Sequence, residues 1–316
     1  ATHLRYYGRD WFMKRSKRVA LRVLTNVYIF INRNYKLYRT VLNVFSPNFR
    51  APYNSLDHKV IVDGREIPLR IFYPRKSPVS KVLIFFHGGG WVAGNIDTYT
   101  KFCSDMAEQT KHTVIAVNYR LAPENPFPAG LDDCYYVTSE LLKDPCLINC
   151  QFEDIAIIGD SAGANLAAAV SLLARDRGEL MACKQILLYP ATYFDHSEGS
   201  PFKSVSDNGT GYILTSKRIQ AYLDMYVQNE EDKFSPYVAP ILANDLSNQP
   251  KTLIITAEYD PLRDEGEAYG FKLREFNNDV TIYRMKDSLH GFMSLRLKSK
   301  ATTRCYEIIN DFLKDR

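Results

Sequence analysis

The sequence predicts an α/β domain built on a mostly parallel, eight-stranded sheet with helices on both faces. From about residue 58 onward, short apolar runs alternate with longer segments of helical periodicity. That alternation is the signature of a parallel sheet with helical crossovers. The runs are apolar throughout rather than apolar at every second position, as expected of strands covered on both faces.

Taken in order, Val60–Val62 and Leu69–Tyr73 read as a hairpin around Asp63-Gly64, a strong turn dipeptide. Val82–Phe86, Thr113–Asn118, Ile155–Ile158, Gln185–Tyr189, Thr252–Thr256 and Val280–Tyr283 read as buried strands. Helical patterns fill the intervals at Thr98–Thr110, Ala129–Leu142, Ala162–Arg175 and Glu265–Phe276, and a last one follows at Ala301–Leu313.

Two regions break the alternation. One is a basic helical segment at 1–55, ahead of a catalytic domain spanning 56–316. The other is an insertion at about 191–240, with a turn-rich stretch from Ser197 to Gly211 and a helix at Ser216–Tyr226. Long insertions in compact domains are usually functional. Both are expected to form a helical cap over the carboxyl ends of the strands, where such sheets bind ligands.

Composition narrows the class. At 46% apolar residues the chain can bury a large core and does not read as disordered. The first fifty residues hold eleven Lys/Arg against Asp10 alone, a net +10, whereas the remainder holds 29 basic and 35 acidic residues, a net −6. No nucleic-acid recognition motif accompanies the charges, so the arm is expected to dock on the acidic body. No stretch reaches the ~18–20 uninterrupted apolar residues of a spanning helix. Val19–Ile31 is broken by Arg22, Thr25 and Asn26, lacks a small-residue cleavage site, and reads as an amphipathic helix on Leu21, Leu24, Tyr28 and Ile31. The six cysteines show no metal-site spacing and read as reduced thiols of a cytoplasmic protein, with a Cys146–Cys150 disulfide left open.

The chemistry sits at strand ends. Gly159-Asp160-Ser161-Ala162-Gly163 follows one predicted strand and opens a helix, the context a G-x-S-x-G nucleophile needs. His87-Gly88-Gly89-Gly90-Trp91 follows another. Its exposed N–H groups at Gly88, Gly89 and Gly90, with that of Ala162, suit an oxyanion hole. It lacks the lysine of a phosphate loop. His87 itself reads as structural. Asp260 ends a strand and is the candidate acid, with Glu258, Asp264 and Glu265 nearby; the last two suit a helix start. His290 lies beyond the last strand and completes the order Ser, Asp, His.

With Tyr119-Arg120-Leu121-Ala122-Pro123-Glu124, these motifs resemble the hormone-sensitive-lipase family of α/β-hydrolase esterases over roughly residues 58–315. The resemblance implies the α/β-hydrolase fold, a Ser161–His290–Asp260 triad and hydrolysis of short-acyl esters, with no cofactor and no metal. Ala164 stands where the family commonly has a second glycine; tighter packing with intact chemistry is expected there. Trp91, Tyr193, Phe202 and Tyr212 are candidate pocket walls. An amide hydrolase on the same triad is the alternative. A non-catalytic receptor of the gibberellin-receptor type lacks the histidine that this chain retains. The expected partner is a small-molecule ester and not nucleic acid; membrane-surface contact by the basic arm and a homodimer stay open.

Overall fold

The computed structural model describes residues 5–7, 35–45, 54–75, 81–294 and 299–315. All eight predicted strands are present: β2 (Ser55–Val62), β3 (Arg65–Phe72), β4 (Val82–Phe86), β5 (Thr113–Val117), β6 (Ile155–Asp160), β7 (Lys184–Leu188), β8 (Lys251–Tyr259) and β9 (Val280–Leu289). A ninth, β1 (Arg5–Tyr7), was not foreseen and adds to one edge, giving the order β1-β9-β8-β7-β6-β4-β5-β3-β2. The arm is therefore not wholly helical as expected. It also supplies helix α1 (Tyr35–Phe45). The predicted helix on Leu21–Ile31 lies outside the described residues.

Only β3 runs antiparallel to its two neighbours. The β2–β3 hairpin turns at Asp63 and Gly64, both with positive φ (50° and 78°), as a two-residue turn matching strand twist requires. The remaining pairs are parallel. The helices are α2 (Thr100–Thr110), α3 (Ala129–Lys143), α4 (Ala162–Asp176), α5 (Lys203–Asn208), α6 (Ser216–Tyr226), α7 (Arg263–Glu275) and α8 (Lys300–Lys314). Each helix predicted from Thr98 onward is found within two residues of its expected start.

The sheet separates two apolar cores. On one side Leu83 and Phe85 meet Phe102 and Met106 of α2 and Ile309 of α8. On the other, Ile84 and Phe86 meet the α3–α4 face through Leu131 and Leu166. Every residue of β4 is fully buried, which is why its sequence carries no polar position. The cysteines are all free, so no Cys146–Cys150 disulfide forms. Among the described residues, no helix is long and apolar enough to cross a membrane.

Strand order decides where the loops meet. β4 and β6 are neighbours, with Phe86 opposite Gly159. The glycine run after β4 therefore lies beside the turn after β6. β8 and β9 are paired and lie beyond β7, so their ends reach the same crevice from the other side.

Candidate active site

The turn after β6 is too tight for side chains at its glycines. A Cβ on Gly159 would lie 2.2 Å from the carbonyl oxygen of Gly163, and one on Gly163 would lie 2.0 Å from that of Phe86. Between them Ser161 takes φ 56°, an uncommon value for a residue with a side chain. Its N–H donates to Leu188 of β7 at 2.9 Å and its carbonyl accepts from Asn165 at 3.1 Å. The strain is thus held by β7 and the first turn of α4, whose positive end points at the crevice. Ala164, in the first turn of α4, is fully buried in the apolar core.

Three groups expected from sequence come together. His290 Nε2 is 2.8 Å from Ser161 Oγ, and His290 Nδ1 is 2.7 Å from Asp260 Oδ2. Asp260 is wholly buried, and its Oδ1 accepts the Leu262 N–H at 2.9 Å. A carboxylate at Nδ1 places the ring proton there and leaves Nε2 to accept from the serine hydroxyl. The Tyr189 ring meets His290 edge-on at 5.0 Å.

The other acids face elsewhere. Glu258 Oε2 accepts the Asp287 N–H at 2.8 Å. Asp264 accepts the Ser204 N–H at 2.7 Å. Glu265 is fully buried and does more than sit at a helix start. It accepts the N–H groups of Thr192 and Tyr193 and pairs with buried His196 at 2.8 Å. It therefore ties the start of the insertion to α7.

The glycine run differs from expectation at one position. Gly88 donates its N–H to Asp160 Oδ1 at 2.7 Å, so that N–H is not available to a ligand. Asp160 is buried, which pushes its carboxyl up to about 6, while Gly88 and the Tyr99 hydroxyl hold it lower than burial alone would. Gly89 (φ 117°) and Gly90 (φ 63°) take backbone conformations open to glycine. His87 is buried and pushed down to about 4 by desolvation, stacks on Tyr119 at 4.3 Å, and has no contact with the triad, in keeping with a structural role.

Trp91 is buried and stacks face to face on Tyr226 of α6 at 4.7 Å, within the apolar core. Tyr222, one turn earlier on α6, packs its ring directly against Gly90, where a Cβ would come within 2.2 Å of it. Tyr193 and Phe202 meet edge to face at 5.3 Å, and Tyr212 stacks on Tyr259 beside Asp260 at 5.7 Å. All three are half-buried in the insertion. Asn208 of α5 donates to the Asp260 carbonyl at 3.2 Å. The sequence does not announce Asp160's hold on Gly88, the packing of Tyr222, the Asn208 bond to Asp260 or Glu265's tie to the insertion. Their partners lie tens of residues away and leave no local signal. Among the described residues no cluster of potential metal ligands occurs.

The comparisons with known proteins agree with this architecture. A family model described as the alpha/beta hydrolase fold matches residues 83–294. An arylesterase of Saccharolobus solfataricus is 35% identical over 260 residues, covering 82% of this chain and 83% of its own. Carboxylesterase NlhH of Mycobacterium tuberculosis is 34% identical, covering 79% and 78%. A solved esterase of Pyrobaculum calidifontis superposes with a TM-score of 0.83 at 32% identity, covering 96% of this chain and 98% of that one. The chain thus belongs to the α/β-hydrolase fold family, in its hormone-sensitive-lipase branch.

Proposed function

We propose that this chain hydrolyses carboxylic esters of short acyl groups through a covalent acyl-enzyme on Ser161. The observation that carries the reading is the unbroken line Asp260–His290–Ser161, with links of 2.7 and 2.8 Å. His290 Nε2 takes the hydroxyl proton as Ser161 Oγ attacks the ester carbonyl. The N–H groups of Gly89, Gly90 and Ala162 receive the negative charge that develops on the carbonyl oxygen. His290 then passes its proton to the departing alcohol oxygen, leaving an acyl-serine. Water, deprotonated by the same histidine, releases the acid and restores Ser161. Asp260 fixes the imidazole's tautomer and stabilises its charged form. Tyr193, Phe202 and Tyr212 flank the substrate from the insertion, where a covered aromatic site suits small acyl groups.

Hydrolysis of p-nitrophenyl esters from acetyl to palmitoyl, with Ser161→Ala alongside, tests this. Turnover peaking at short chains and abolished by the substitution is expected. A folded protein inactive on every ester would sink the reading and move the test to anilide substrates, where the same triad would cleave amides.

A further inference from the structure

Helix α1 of the basic arm meets the loops after β4 and β5, and Arg39 makes the densest of its contacts there. Arg39 Nε donates to the Val92 carbonyl at 2.6 Å and Nη2 donates to the Ala122 carbonyl at 2.6 Å. Its two terminal nitrogens each meet one oxygen of Glu124 at 2.9 Å. All these partners lie on two loops. One is the turn that follows Gly89 and Gly90; the other follows β5. The loops are already joined by the Ala122 N–H on the Trp91 carbonyl at 2.9 Å. The Val92 and Ala93 N–H groups in turn close on the Gly89 carbonyl at 3.3 and 3.0 Å. One guanidinium therefore fastens the far side of the turn that presents the Gly89 and Gly90 N–H groups.

We infer that Arg39 is a positioning residue for the oxyanion donors, an inference that rests on the esterase reading above. Val92 and Ala122 are buried with Arg39 in place, so the guanidinium is the partner their carbonyls have in the folded chain. Only a planar fork of five N–H donors reaches two carbonyls and a carboxylate together; a lysine offers a point charge. Donors aimed at the developing oxyanion act on the transition state more than on bound substrate. A loosened loop should therefore cost kcat and leave KM nearly alone.

The test measures steady-state kinetics on p-nitrophenyl butyrate for the wild type, Arg39→Ala, Arg39→Lys and Lys36→Ala. Removing an oxyanion donor outright typically costs about 10²–10³ in rate, so loosening its support should lower kcat by about 10-fold or more in both Arg39 variants. KM should change less than about 3-fold, the pattern of an interaction made in the transition state. Added ethylguanidinium should restore part of the rate in Arg39→Ala but not in Lys36→Ala, which should match the wild type throughout. Arg39→Lys keeps the arm's charge, so its full activity would overturn the proposal. So would a raised KM at unchanged kcat, which would make the arm a roof over the pocket. An inactive wild type would instead defeat the esterase reading, which separates the two failures.

Discussion

Tyr259 pairs with Leu289 at the ends of β8 and β9, so the residues that follow them are Asp260 and His290. The pairing follows a register shift. From Ala257 to Tyr259 β8 advances two residues, while β9 advances from Met285 to Leu289. Asp287 takes up the excess with φ 54°, its N–H held by Glu258. Because side chains alternate along a strand, deleting Asp287 should turn His290 away from Ser161. Activity should fall by about 100-fold or more while far-UV circular dichroism stays native. Retained activity in the deletion would show that the irregularity does not aim His290.

Asp260→Asn tests the acid separately. The amide offers its NH₂ or carbonyl to Nδ1 and permits the wrong tautomer, so kcat should fall by about 10⁴-fold. Glu258→Gln, on the opposite side of Tyr259, should leave kcat within about 3-fold, because the amide keeps an oxygen for the Asp287 N–H that Glu258 accepts. Equal losses in the two variants would remove the distinction between them.

Asp160 should make stability depend on pH. Its folded carboxyl sits at about 6 because of burial, above the usual value of 3.8. A carboxyl raised on folding contributes fully below its unfolded value and loses that contribution as pH rises through the folded one. Charged Asp160 therefore costs about 3 kcal/mol at neutral pH. Asp160→Asn keeps an oxygen for the Gly88 N–H and removes the charge. Its Tm should exceed the wild type's at pH 7 and converge with it near pH 4. A constant difference in Tm across that range would contradict this origin.

Trp91→Ala separates core from pocket. Removing a buried, stacked indole should cost about 3–5 kcal/mol in chemical denaturation. The ranking of acyl lengths should not move, because the ring faces Tyr226. A shifted acyl optimum at unchanged stability would return Trp91 to the substrate's surroundings.

What the sequence revealed follows from how local each signal is. The turn around Ser161 and the glycine run after β4 are contiguous and follow fully apolar strands, so both were legible. His290 was found by its order in the chain. The second half of β9 was not, since Arg284, Lys286 and Asp287 interrupt the apolar run that begins at Val280. Helix α1 carries Tyr35, Tyr38, Val41, Leu42 and Phe45 at helical spacing, a signal masked by the basic residues interleaved with them. The stack of Trp91 on Tyr226 leaves no local signal, since the two rings lie far apart in the chain. Gly88 was counted as a donor because a run of glycines does not say which N–H is already taken.

The short strand β1 has a bearing on solubility. Arg5–Tyr7 lies along Tyr283–Met285 of β9, the strand that leads to His290. Without it, the main-chain donors and acceptors of that stretch would stand bare at the border of the sheet, an invitation to strand addition by another molecule. A chain trimmed through Tyr7 should accordingly associate in a concentration-dependent way before its chemistry fails, and light scattering would register the loss earlier than an ester assay.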